Sequence, residues 1–324
     1  MASGTAIRET TEEGDKVMAT TTATPSRTAT RAFPVTYFVL AFAFTWFFWG
    51  LGVLGERGFI PTLPGFTVIG TFGPMVAAVI LTAREGGRAE LRSLLGRIVR
   101  WRVPPVWYGV AILGPLALTL AAIALHVALG GQMPGPGALI GVLPTVVFVS
   151  VYMLIFVALG EEVGWRGYAL PALQARHGAF VASVMLGAMW ALWHVPQFFN
   201  PATLYSDLPF VLFLAYLIPF SVLITWVFNS TGGSLLMAML VHAALNASTQ
   251  LWKVLPEYSG GPGVMSAAEA AAATVHANLM VTIVLWVAGV AVALVYGTRN
   301  LSRKPRQILT NEGDESIEVE GSRT

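Results

Sequence analysis

Long stretches without a single charged residue constrain the fold of this chain more than any other feature. Asp, Glu, Lys and Arg are absent from residues 32–55, 58–83, 103–160 and 270–298. A helix crosses the hydrocarbon core of a bilayer with roughly 20 apolar residues, so each of these ranges can hold at least one such helix. Charged residues make up only 11% of the 324 residues, against roughly 25% in soluble domains. The chain is therefore predicted to be an integral membrane protein.

Eight hydrophobic stretches are predicted to span the bilayer, which makes the predicted fold all-α and polytopic. They cover residues 34–55, 66–83, 105–129, 137–170, 180–199, 208–228, 234–252 and 274–297. Prolines inside several stretches are compatible with this, because neighbouring helices can satisfy the freed backbone groups. Between residues 88 and 102, apolar side chains alternate with arginines at helical spacing, which predicts an amphipathic helix in the membrane interface.

Basic residues are concentrated in alternate connections between the predicted spans. Six arginines lie between the second and third spans, whereas the connections on the other side carry only Arg57 and Lys253. Because positive charge favours the cytoplasmic side, both termini are predicted to be cytoplasmic. Residues 1–33 and 299–324 lack apolar periodicity and are predicted to be disordered tails flanking a membrane domain at 34–298.

The overall composition narrows the partners and the compartment. A net charge of +2 gives no nucleic-acid footprint, so the bilayer and membrane-associated molecules are the expected partners. Cysteine is absent, which excludes thiolate metal sites and cysteine nucleophiles. The Arg-rich, Lys-poor composition indicates a prokaryote with a high-GC genome, and hence a prokaryotic plasma membrane.

A concentrated charged cluster closes the fourth predicted span. Glu161, Glu162 and Arg166 lie within six positions of a region that is otherwise nearly free of charge. Ionisable side chains at membrane depth are costly and indicate a functional site. Glu162 and Arg166 form an i,i+4 pair, whereas Glu161 points about 100° away around the helix. Glu161 is thus predicted to accept protons, although an ion-pair cluster that only closes the helix end explains the same pattern.

Two further spans carry polar residues at helical spacing. Trp190 and His194 share one helix face, and His242 and Asn246 share another, because each pair is four residues apart. Counted at 1.5 Å per residue from the predicted cytoplasmic turns, Glu161, His194 and His242 reach comparable depths. A single membrane histidine is more often a hydrogen-bonding residue than a ligand, but together these side chains predict one buried site.

Three ordered motifs carry a resemblance to a known family. They are Glu161-Glu162-x-x-x-Arg166, Trp190-x-x-x-His194 and His242-x-x-x-Asn246. This pattern on successive hydrophobic segments resembles the CPBP intramembrane protease family, which includes the type II CAAX prenyl endopeptidases and bacterial members labelled abortive-infection proteins. The resemblance covers about residues 105–252. The family usually has Phe at the position of Trp190.

The resemblance implies an eight-helix membrane fold around a buried polar cavity. It also implies endopeptidase activity on a membrane-associated peptide or protein. Prenylated CAAX-type substrates are one class of such substrates. Glu161 and His194 would activate water, and His242 with Asn246 would hold or polarise the substrate carbonyl. Glu162, Arg166 and Trp190 would support these residues.

Two mechanisms and two other functions remain open at this point. In a metalloprotease, Glu161, His194 and His242 would bind Zn²⁺. In a metal-free, glutamate-dependent enzyme, which we favour, Glu161 is the base and His242 with Asn246 form an oxyanion hole. The alternatives are a non-catalytic immunity or scaffold membrane protein and a proton-coupled transporter. A transporter favours symmetry-related broken helices, and the sequence shows no such pattern.

Overall fold

The computed structural model describes residues 33–62, 65–258 and 266–309, and these residues form helices and connecting turns without a strand. The all-α polytopic fold predicted above is confirmed. Numbered along the chain, the α-helices of the described ranges are α1 (Val35–Glu56), α2 (Phe66–Thr71), α3 (Gly73–Gly96), α4 (Val106–Ala128), α5 (Ala138–Gln174), α6 (Ala179–Trp193), α7 (Phe210–Ser230), α8 (Leu235–Ser248) and α9 (Ala267–Tyr296). Short 3₁₀ turns cover Val195–Phe199, Leu204–Asp207, Thr249–Val254 and Pro256–Tyr258.

Among the described residues, seven helices are long and apolar enough to cross a membrane, and each coincides with one of the predicted spans. The second predicted span, 66–83, differs from the prediction because it is divided between α2 and the first half of α3. Pro74 lies in the first turn of α3, where its missing N–H is tolerated. The helix thus restarts inside the apolar stretch.

The second half of α3 contains the predicted amphipathic segment. Gly87 interrupts the helix with a φ of 64°, a conformation that glycine adopts without steric cost. Beyond it the helix buries Leu94 and exposes Arg88 and Arg92, as expected of an amphipathic helix. Its placement in the interface and the cytoplasmic placement of both termini stay predictions.

Helix α5 is unusual in its length and in its local geometry. Its 37 residues would extend roughly 55 Å at 1.5 Å per residue, well beyond the roughly 30 Å of a hydrocarbon core. Two π-helical turns, Leu154–Ala158 and Trp165–Ala169, flank the α-helical turn Leu159–Gly164 that carries the two glutamates. Such turns occur frequently at functional sites, and here they set the direction of the intervening side chains.

Small residues let α5 approach the end of α2 and the start of α3 closely at the charged cluster. A Cβ atom added to Gly164 would lie 2.4 Å from the carbonyl group of Pro74, and one added to Gly160 would lie 2.9 Å from the carbonyl oxygen of Thr71. Glycines four residues apart are a common device for bringing membrane helices into contact. This close packing fixes the position of the turn that carries Glu161.

Residues 299–309 pack against the ends of the helices. Asn229 Nδ2 donates to the carbonyl oxygen of Asn300 at 2.9 Å, and Gln174 Nε2 donates to that of Gln307 at 2.7 Å. The packed part of the chain therefore extends past residue 298, the boundary expected from the sequence, because buried amide side chains satisfy the backbone of this segment.

The rest of the predicted tails, residues 1–32 and 310–324, lies outside the described residues. The division into two disordered tails and one membrane domain stays a prediction.

Helices α7 and α8 lie closest to the centre of the bundle. In α8 and the 3₁₀ turn that follows it, 72% of the most apolar window is buried, against 28% in α1. Because α8 contacts α4, α5 and α7, its polar side chains are enclosed by protein rather than exposed at the outer surface. This position explains how histidine and asparagine can be accommodated in an otherwise apolar helix.

Candidate functional site

One cavity collects the residues that the sequence predicts to react. It has a volume of about 620 Å³, and its walls include Glu161, Trp190, His194, His242 and Asn246. These residues come from α5, α6 with the turn that follows it, and α8. The volume lies within the roughly 300–1,000 Å³ typical of ligand sites. The three helices thus bring the predicted side chains to one buried space.

Glu161 is held at the wall of this cavity by a tryptophan. Glu161 is only 3% exposed. The indole Nε1–H of Trp190 donates a hydrogen bond to Glu161 Oε2 at 2.6 Å. A hydrogen bond to a carboxylate is short and roughly twice as strong as a neutral one. Phenylalanine, which the resembled family usually has at this position, has no such donor. The indole of Trp190 therefore supplies a contact to Glu161 that a phenylalanine could not make.

Glu162 lies behind the cavity wall and organises two other side chains. Its Oε1 accepts from Arg166 Nη1 at 2.9 Å and from His242 Nδ1 at 2.7 Å, and all three side chains are buried. Arg166 Nη2 donates to Ser221 Oγ at 3.2 Å, and the guanidinium lies 4.9 Å from the ring centre of Trp190. The i,i+4 pair predicted from the sequence is present, and it also fixes the orientation of His242.

His194 is oriented by its own helix. Its Nδ1 lies 2.9 Å from the carbonyl oxygen of Trp190, and because a carbonyl can only accept, Nδ1 carries the hydrogen. In the neutral ring, Nε2 is then free to accept a proton or a hydrogen bond. Aromatic rings of Tyr205, Phe213 and Trp193 surround the imidazole at centroid distances of 4.7 to 5.5 Å. They restrict the ring to one position.

Asn246 completes the cavity wall one helical turn beyond His242. The only hydrogen-bond partner of its side-chain amide among the described residues is the Met153 sulfur, 3.9 Å from Nδ2. A thioether is a weak acceptor, so the amide can exchange this contact for a stronger acceptor such as a carbonyl oxygen or an oxyanion.

The possible zinc ligands are not arranged as a metal site. Within residues 33–62, 65–258 and 266–309, no group of three His, Asp or Glu side chains is placed to hold a metal ion. Glu161, His194 and His242 therefore do not fit a zinc ion as they are placed in this structure.

Several residues of the site carry no recognisable signal in the sequence. Ser221 contacts Arg166, Phe220 packs its ring 5.7 Å from that of His242, and Tyr205 packs against His194. Burial, and secondarily the negative charge of Glu161, raise the pKa of the Tyr205 hydroxyl well above its usual value. Only their position in the folded chain brings these common residue types to the site.

The remaining histidines of the described chain do not line the cavity. His126 Nδ1 lies 3.0 Å from His276 Nε2, and His126 Nε2 lies 2.6 Å from Glu257 Oε1. Partial burial of the Glu257 carboxyl tends to raise its pKa. Hydrogen bonds, including those from the Gln132 N–H and from His126, outweigh burial and lower the pKa of Glu257. This cluster joins α4 to α9 and to the turn after α8.

Comparison with known proteins confirms the resemblance found in the motifs. Residues 143–248 match the family model described as type II CAAX prenyl endopeptidase Rce1-like, and this range extends from α5 to the end of α8. All seven residues of the three motifs lie within it. The match therefore covers every motif residue that lines the cavity, while α4, α9 and the turns after α8 contribute the rest of its walls.

Two curated proteins are similar to this chain. The CAAX prenyl protease 2 of Methanococcus maripaludis is 28% identical over 238 residues, which cover 67% of this chain and 84% of that protein. The undecaprenyl-diphosphatase of a Synechococcus species is 30% identical over 117 residues, or 35% of this chain and 40% of that protein. The family match and the first relative together support a CAAX prenyl endopeptidase-like membrane protease.

Proposed function

We propose that this chain is an intramembrane endopeptidase that hydrolyses a peptide bond of a membrane-associated substrate, with prenylated CAAX-type peptides as the first class to test. The observation that carries the proposal is the shared cavity, in which a buried carboxylate, two histidines and an amide face one space. Such a set contains a proton acceptor and hydrogen-bond donors for a polarised carbonyl. The matches to proteases support the same reaction class.

In the proposed reaction, Glu161 takes a proton from a water molecule whose oxygen attacks the scissile carbonyl carbon. His194 Nε2 accepts the second hydrogen bond of that water and so orients it. Asn246 Nδ2–H, together with His242, holds the oxyanion that forms. When the carbon–nitrogen bond breaks, Glu161 returns its proton to the leaving amine nitrogen. The carboxylate is thereby regenerated.

Glu162 and Arg166 support this reaction without facing the cavity. Glu162 holds His242 through Nδ1, which leaves His242 Nε2 for the substrate. A doubly protonated His242 would donate from Nε2, and Glu162 would be its counter-charge. Arg166 in turn holds Glu162. We infer a positioning role for both residues.

The other candidate functions have less support. The name of the second relative implies diphosphate hydrolysis for that protein. That reaction depends on Arg, Lys or Mg²⁺ at the phosphoryl groups. Among the residues that line the cavity, Lys253 is the one Lys or Arg. A transporter or a non-catalytic scaffold would not require Glu161, His194, His242 and Asn246 to converge on one space.

Replacing His194 by Ala tests the proposed function directly. We expect the variant to cleave a farnesylated peptide in detergent or proteoliposomes roughly 10²- to 10⁴-fold more slowly than the wild type, since general acid–base groups contribute about that much. His177→Ala is the matched control, because His177 lies in the turn between α5 and α6 and does not line the cavity. Equal rates for the two variants would remove His194 from the mechanism.

Replacing Trp190 by Phe tests the role of the indole. The variant keeps an aromatic ring but loses the hydrogen bond to Glu161. A hydrogen bond to a charged group contributes about 1.5–3 kcal/mol, so we expect kcat to fall roughly 10- to 100-fold with KM nearly unchanged. Trp286→Phe, on the outer face of α9, is the control. A change in KM alone would contradict a role in positioning the carboxylate.

A further inference from the structure

The reaction cavity lies towards one end of the helical bundle. Among the described residues, no cavity residue of α5 follows Glu161, and residues 162–174 are all buried. On α8, no cavity residue precedes His242, and the lining continues to Lys253 in the turn beyond the helix. On α9, the cavity residues all belong to the first half of the helix. The space therefore extends from the reactive groups towards the end of the bundle at which α8 ends and α9 begins.

Exposed and polar side chains surround the mouth of the cavity at this end. Leu204 is 72% exposed, Thr249 and Lys253 are also exposed, and Gln250 is half-buried. All four line the cavity. Thr249 lies seven residues beyond His242, which is roughly 10 Å at 1.5 Å per residue. A mouth that presents an ammonium, an amide and a hydroxyl group favours a hydrated peptide segment over a hydrocarbon chain, because polar groups are costly to bury without partners.

The arginines lie towards the opposite end of the bundle. Helix α8 begins there, and the Leu235 N–H donates to the carbonyl oxygen of Arg97 at 3.0 Å. Helix α6 also begins there, and the Ala179 N–H donates to the carbonyl oxygen of Arg299 at 2.8 Å. Of the described Lys and Arg residues, eleven lie towards this end, against two at the end that holds the mouth. They lie in the second half of α3, the connections after α3 and α5, and the segment after α9.

Lysine and arginine in short connections favour the cytoplasmic side of a membrane. We propose that the cavity opens on the opposite, extracytoplasmic side and admits a peptide segment of a membrane-anchored protein that is exposed there. The inference rests on the proposed endopeptidase function and adds to it the side from which the substrate enters, and hence the class of substrate. A peptide presented from the cytoplasm would meet the closed, arginine-rich end. Cleavage assays in detergent do not depend on this orientation, because detergent leaves both ends accessible.

The absence of cysteine from the chain allows the orientation to be tested without measuring activity. Leu204→Cys and Lys253→Cys each place a single thiol at the mouth, and Arg176→Cys, in the turn between α5 and α6, is the matched control at the opposite end. Spheroplasts of a bacterial host that expresses each variant are treated with a membrane-impermeant maleimide. We expect either mouth cysteine to be labelled in intact spheroplasts, and Arg176→Cys only after permeabilisation. Equal labelling at both ends, or no labelling at the mouth in intact spheroplasts, would overturn the proposal.

Cleavage in sealed vesicles separates this proposal from the proposed function. A fluorogenic farnesylated peptide is added to right-side-out and to inside-out vesicles of the same host, and Glu161→Gln corrects for other proteases. Because a peptide backbone crosses the hydrocarbon core poorly, we expect cleavage to be roughly 10-fold or more faster in right-side-out vesicles, and detergent to remove the difference. Equal rates, or faster cleavage in inside-out vesicles, would overturn the proposal. No cleavage in either preparation or in detergent, with the mouth cysteines labelled from outside, would refute the endopeptidase and support the orientation of the cavity.

Discussion

Glu161→Gln is expected to abolish peptide cleavage while the protein stays folded. Glutamine preserves the volume of the side chain, and its amide oxygen can still accept from Trp190 Nε1, so the packing of α5 against α6 is retained. It cannot take a proton from water, however, and loss of a general base costs roughly 10²- to 10⁴-fold in rate. The measurement is kcat/KM on a farnesylated peptide, together with the thermal unfolding midpoint of the purified protein in detergent.

Glu257→Gln is the matched control for this substitution. Glu257 contacts His126 rather than the reaction cavity, and its replacement should leave the cleavage rate close to that of the wild type. Wild-type cleavage by Glu161→Gln would show that another group activates the water. A large fall in the unfolding midpoint with Glu161→Gln would instead assign this carboxylate a structural role.

The sequence was sufficient to predict the contacts that depend on local helix geometry. Glu162 and Arg166 are four residues apart on one helix and form the ion pair that this spacing favours. Trp190 and His194 likewise lie on one face at the end of α6, and their ring centroids are 6.3 Å apart. The helical rise counted from the predicted turns brings Glu161 to the depth of the two histidines, and all three line the cavity.

Contacts between distant parts of the chain were not predictable in the same way. Glu162 and His242 are 80 positions apart, and nothing in their local sequences distinguishes Glu162 from Glu161 as the partner of the histidine. The second predicted span is divided because a new helix begins at Gly73. The apolar character of residues 66–83 does not reveal this break, because it is the same on both sides. The packing of residues 299–309 depends on amides at Gln174 and Asn229 that are unremarkable until the chain folds.

Arg166→Met is expected to destabilise the protein more than any other single substitution considered. It removes the Arg166 partner of a fully buried carboxylate, whose Oε2 already has no hydrogen-bond partner among the described residues. Breaking a buried ion pair from one side costs about 3–5 kcal/mol, because the remaining charge is left without its partner. The measurement is the free energy of unfolding by denaturant in bicelles. Arg88→Met, an exposed position on α3, should change it by no more than about 0.5 kcal/mol.

Combining Arg166→Met with Glu162→Gln distinguishes an ion pair that only stabilises the fold from one that also positions His242. The double variant has no unpaired charge at this place, so much of the lost stability should return, and the two effects should not add. If the pair only closes the helix end, cleavage should return together with stability. We expect stability to recover while kcat stays low, because glutamine can still accept from His242 Nδ1 but supplies no negative charge beside a ring that donates to the oxyanion. Full recovery of both quantities would restrict the pair to holding the fold.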